Sequence, residues 1–195
     1  MTQRSIWADR FLGACFLQGL VSFVGMGYLL YLSVATTPGP ARVVAGGGAG
    51  TWFTVGCIGF ALIGVLGSGL SSLFYYYIEV IKRAPYTGWR NLFAWGHLVA
   101  GVGVSSLGSL LAAWGGLEAG IAALPASAGG GGKDFSYIHE NILGPLVIPL
   151  AIMMGIGLAG FFAGGVAYGT AWWAAVKKEG GLMGKGKGSD AKTDG

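Results

Sequence analysis

The stretch 134-DFSYIHENILGP-145 gathers an acid, an imidazole, a second acid and an amide at Asp134, His139, Glu140 and Asn141. Carboxylate and imidazole are the usual ligands of Zn or Cu, so Asp134, His139 and Glu140 form a candidate metal set. Their spacing matches no established metal signature. The same residues suit two other roles. Asp134 or Ser136 can cap a helix, and acids are favoured at a helix start. An exposed polar segment also suits docking of an external partner. The second histidine, His97, follows Trp95 and Gly96. It is a candidate haem or quinone ligand, or else an interfacial ring hydrogen-bonded to backbone or water.

These residues sit in a chain with little else that is charged. Of its 195 residues, 53% are hydrophobic and 10% are Asp, Glu, Lys or Arg, against about 25% charged in a soluble domain. Four uncharged stretches, Phe11–Val34, Trp52–Ile78, Leu92–Leu117 and Ile142–Val176, are each long enough for the ~20 helical residues that cross a bilayer. The expected architecture is an all-α, integral membrane four-helix bundle. Residues 1–176 form the transmembrane domain, with spans at about 11–34, 52–78, 92–117 and 142–176, and 177–195 form a basic, Gly-rich, disordered cytoplasmic tail. At 24 residues the first run exceeds the ~7–15 of a signal-peptide core, so it reads as a retained helix.

Ten of the twelve Lys and Arg fall in the N-terminus, the second loop and the tail. Only Arg42 and Lys133 fall on the other side. By the positive-inside rule both termini are cytoplasmic. Tyr75, Tyr76, Tyr77, Trp89, Trp172 and Trp173 then fall at the inner interface, and Trp52 and Trp114 at the outer one. The net charge of +4 reads as contact with anionic lipid headgroups rather than with nucleic acid. Cys15 and Cys57 lie near opposite ends of neighbouring helices, too far apart to bridge.

Helices in lipid gain nothing by hiding Leu, and close backbone approach must hold them. Ala151, Gly155, Ala159, Ala163, Ala167, Ala171 and Ala175 recur every fourth residue. Each such step advances about 40° around the axis, so one straight partner meets only part of the row and the rest faces other helices, in this chain or another. Gly101, Ser105, Ser109 and Ala113 form a second row. Pro145 and Pro149 open the fourth run. Its 35 residues span about 52 Å as a helix, so its first turns either project beyond the outer surface or bend along it. The preceding 128-AGGGGK-133 reads as a flexible linker.

This setting narrows the chemistry. A bis-histidine haem needs both rings on one iron, yet His97 and His139 sit toward opposite ends of the bundle, about 20 Å or more apart. His/Met ligation using Met26, Met153 or Met154 stays open. Glu79, beside three tyrosines, is either in headgroup water or a proton-entry acid. No acid lies midway along any span, so no complete proton path is drawn. There is no G-x-S-x-G, P-loop, HExxH or CxxC. The glycine clusters 46-GGGAG-50 and 129-GGGG-132 follow no strand and cradle no nucleotide.

At 7-WADRFLGACF-16, 46-GGGAGTWFT-54 and 139-HENILGP-145 the chain resembles a family of small four-helix membrane proteins associated with archaeal haem-copper terminal oxidases. That family's helices are similar to the oxidase subunit I architecture. The resemblance implies an archaeal accessory subunit packed against a redox core, with haem and copper in the partner subunits. It implies no cofactor here: a catalytic subunit I carries metal-ligating histidines on several helices, and this chain has two histidines in all. The expected function is a non-catalytic subunit of a respiratory membrane complex. Its outer Asp134–Asn141 segment and 36–51 loop would cap the complex or receive an extracytoplasmic electron-donor protein. The alternatives are a small membrane electron carrier, a b-type cytochrome or quinone-binding protein using His97 or His139, and a subunit of another complex such as a membrane monooxygenase.

Overall fold

Backbone groups in a hydrocarbon layer have no water to bond, so an apolar segment must close its hydrogen bonds within itself. The computed structural model describes residues 4–45 and 47–186, with backbone alone over 179–186, and is all-helical over them. Four helices are long and apolar enough to cross a membrane: α1 (Ile6–Ala35), α3 (Gly48–Ile81), α4 (Trp89–Ala123) and α5 (Phe135–Lys178). A short α2 (Pro40–Ala45) joins α1 to α3.

Each spanning helix outruns its uncharged stretch, because helices continue into flanking polar residues that carry their caps. Ser5 caps α1, its hydroxyl accepting from Ala8 N–H at 3.0 Å. Asp134 caps α5, accepting from Tyr137 N–H at 2.8 Å. α3 and α4 start from Gly47 (φ 105°) and Gly88 (φ 57°), a left-handed region that favours glycine. α5 has 44 residues, about 66 Å at 1.5 Å each, and runs through Pro149 without a break. Its backbone continues as helix to Gly186, into the segment that the sequence reading assigns to the 177–195 tail. Residues 187–195 lie outside the described residues.

The glycine run before α5 is not a linker. Gly131 N–H donates to Ile121 C=O, Lys133 N–H to Ala122 C=O and Gly132 N–H to Leu124 C=O, at 2.8–3.0 Å. These are carbonyls of the last turn of α4, which no helical amide can reach. A Cβ on Gly130 would overlap the Leu124 carbonyl. The run is glycine so that its backbone can lie against the helix end it caps.

The helices pack in the order α1, α3, α4, α5 through glycine contacts. Between α3 and α4, Gly56 lies against the Ala113 backbone and Gly116 against Phe53. Between α4 and α5, Gly101 meets Gly160, and Ser105 meets Gly157. The α4 row therefore changes partner along its length: Gly101 and Ser105 face α5, while Ser109 and Ala113 face α3. That is the outcome of its drift around the axis. The α5 row behaves in the same way. Ala167, Ala171 and Ala175 are buried and Ala163 touches Gly96. Ala151, Gly155 and Ala159 are exposed, and the buried seam there passes to Gly157, Gly160 and Gly164.

The two ends of the bundle differ. At the end holding Ile6, Ile81 and Trp89, here called proximal, α3 and α5 are zipped by Tyr75, Phe74 and Tyr168. At the distal end they splay over α4, leaving an apolar groove of about 650 Å³ floored by Ser105, Gly108, Ser109 and Ala112. All four buried residues of α1, Trp7, Ala8, Phe11 and Gln18, lie in its proximal half. Its distal half stands clear, with Phe23 78% and Val34 91% exposed.

Candidate functional site

The distal polar segment forms the first turns of α5. Asp134 is engaged as the N-cap. Asn141 Nδ2 donates to Tyr137 C=O at 3.0 Å. The His139 ring stacks on Phe135, centroids 6.1 Å apart and 14° between planes. His139 and Glu140 are exposed, and neighbouring helical residues point about 100° apart. Among the described residues no three His, Cys, Asp or Glu gather as a metal set. Asp134 caps the helix through one carboxylate oxygen, Oδ1, which accepts from the Tyr137 amide.

The other histidine sits at the centre of the proximal core. His97 is 4% exposed, ringed by Phe11 at 4.9 Å, Tyr168 at 5.7 Å, Phe161 at 5.8 Å and Tyr75 at 6.0 Å between centroids. Its Nδ1 lies 3.4 Å from the Tyr75 hydroxyl. Gly164 leaves room for the ring, since a Cβ there would press on its Cγ and Nδ1. This corrects the reading of His97 as an interfacial ring bonded to backbone or water. Tyr75 is likewise no interfacial belt residue: it is fully buried and stacks on Phe11 at 4.8 Å. Tyr76 and Tyr77, one and two positions on, are exposed.

Above this core the Arg10 guanidinium lies 4.5 Å from the Trp7 ring and 4.6 Å from the Trp95 ring. Glu79 is not free in headgroup water. It accepts from the Ser5 hydroxyl and from Trp7 N–H at 3.3 Å, so the end of α3 caps the start of α1. Ser72 donates to Ala8 C=O at 2.8 Å, a second tie between the same helices. In the loop between α3 and α4, burial pushes the Tyr86 phenol well above its usual pKa, with Tyr168 and Glu79 adding to the effect. Its hydroxyl has no hydrogen-bond partner among the described residues.

A polar node lies midway along the bundle. Gln18 Nε2 donates to Ser68 Oγ at 3.3 Å, and Ser106 Oγ donates to Gln18 Oε1 at 2.6 Å. Gly64 makes space for this amide, because a Cβ there would overlap Oε1. One side chain thereby ties α1, α3 and α4. Sequence reasoning passes over Gln18, although a lone amide inside an apolar span is the signal for an interhelical hydrogen bond. Cys15 and Cys57 are free thiols.

The fold and these sites define an all-helical chain with the four apolar helices of a multi-pass membrane protein. Comparison with family models, curated proteins and solved structures finds no match to it.

Proposed function

We propose that this chain is a non-catalytic accessory subunit of a multi-subunit respiratory membrane complex, a haem-copper terminal oxidase, with both termini cytoplasmic. The observation that carries the reading is the set of small residues left without neighbours. A Cβ on Gly13, Gly19, Gly25 or Gly27 of α1, or on Gly155 of α5, would meet nothing within 4 Å. Ala151 and Ala159 flank Gly155 in the same uncovered row. Within the bundle, residues of this kind mark the close backbone approaches between α3 and α4 and between α4 and α5. Facing lipid they gain nothing, whereas a partner helix can approach them closely. The distal groove adds a concave apolar surface with a floor of small residues, Ser105, Gly108, Ser109 and Ala112.

The charge asymmetry supports the orientation, with ten cations on one side and two on the other. The motifs at 7–16, 46–54 and 139–145 support the oxidase. Haem and copper belong to the partner subunits in this reading. The test is to tag the full chain in its native membrane, extract it in mild detergent and record what accompanies it. Haem-bearing subunits in fixed stoichiometry are expected, and the stripped chain shows no reduced-minus-oxidised haem band. A lone chain with a stoichiometric haem band would replace this reading with that of an electron carrier.

A further inference from the structure

At the proximal end a second cleft, of about 610 Å³, opens between the start of α4 and the end of α5. Its walls include Trp89, Arg90, Thr170, Trp172, Trp173 and Lys177. Three features set it apart from the apolar distal groove. First, among the described residues it holds two cations and no carboxylate. Arg90 and Lys177 make no ion pair among the described residues, and the nearby acid Glu79 is turned to Ser5 and Trp7 N–H. Second, Arg90 Nε is shielded from solvent yet has no hydrogen-bond acceptor among the described residues. A desolvated guanidinium N–H without an acceptor is costly. Third, no side chain caps the first turn of α4, which begins at Gly88 and Trp89, so the helix dipole adds positive potential at the same place.

We propose that this cleft binds the phosphate of an anionic phospholipid from the proximal leaflet, with Arg90 and Lys177 as the phosphate-binding cations. The phosphate supplies the counter-charge that Arg90 and Lys177 lack among the described residues. Trp89 and Trp173, each with a cation beside its ring at 5.6 Å and 5.5 Å, hold those cations at headgroup level, where tryptophan is enriched. Gly169, whose Cβ position is open, leaves space for an acyl chain along α5. A basic pocket between helices at the membrane surface is the expected form of a headgroup site.

The test uses the full chain, delipidated in detergent, with native mass spectrometry reading the lipid retained. The probes are dioleoylphosphatidylglycerol, dioleoylphosphatidylcholine and inorganic phosphate. The anionic lipid should be retained over the zwitterionic one, with each cation contributing about fivefold. Lys177→Gln, at an exposed position that leaves the fold intact, should lower the preference by about that factor, and Arg90→Gln with Lys177→Gln should abolish it. Arg42→Gln and Lys133→Gln, in the opposite loops, should leave it unchanged. Equal retention of the two lipids, or a preference that survives Lys177→Gln, would overturn the site. Displacement of the anionic lipid by equimolar inorganic phosphate would overturn the lipid as its occupant.

Discussion

The proximal and distal parts of the four-residue row on α5 are built from the same residues and end in opposite states. Both carry glycine and alanine at helical spacing. Along the proximal part of the α5 row they are covered: Ala163 touches Gly96, and Ala167, Ala171 and Ala175 lie within the aromatic core. In the distal half Ala151, Gly155 and Ala159 are bare, α1 stands clear and α3 parts from α5. Polar ties account for the difference. Glu79, Ser72 and Gln18 fasten α1 to α3 and α4, all at or proximal to the middle of the bundle. Beyond Gln18 no side-chain hydrogen bond in the described residues joins α1 to another spanning helix. Small residues permit close approach, and polar contacts decide which approach occurs within this chain.

The contrast breaks most sharply at a covered glycine. Gly160→Leu drives a side chain into the Gly101 backbone, which cannot retreat. It should destabilise the bundle by roughly 3 kcal/mol or more, read by thermal unfolding in detergent. Gly155→Leu enters open space and should leave that unfolding curve in place while abolishing retention of partner subunits. Equal effects at the two positions would erase the distinction between covered and uncovered seams.

Gln18→Leu removes two hydrogen bonds and strips Ser68 and Ser106 of their partner. A loss of about 1–2 kcal/mol is expected, with faster hydrogen exchange in α1 than in α4. A smaller effect is expected at the distal end. Asp134→Ala should cost about 1 kcal/mol through the lost cap, whereas Asp134→Asn keeps the cap and should cost only tenths. If Asn proved as damaging as Ala, the carboxylate would be needed for more than capping.

The four spans are legible in the sequence because charge is so sparse that its positions mark every turn. The drift of the small-residue rows is legible for a similar reason: a four-residue repeat and a 3.6-residue helix disagree by a fixed angle. Other features are hidden by ambiguity of residue type. Glycine serves both free loops and tight backbone contact, so 129-GGGG-132 reads as a hinge until its amides are seen on the end of α4. Tyr75, Tyr76 and Tyr77 read as one belt, and only the rotation of α3 sends the first inward and the other two outward. Gln18 gives no periodic signal. The candidate histidines were legible as residues but not as environments: one lies on a helix surface and the other within a packed core.

The claim that the distal surface receives a protein neighbour is tested most directly by photo-cross-linking in the native membrane. A photoreactive residue replaces Ile152, exposed beside the uncovered α5 row, or Leu73, exposed on proximal α3. The account predicts a discrete protein adduct from position 152 and lipid adducts alone from position 73. Lipid adducts alone from both positions would contradict it.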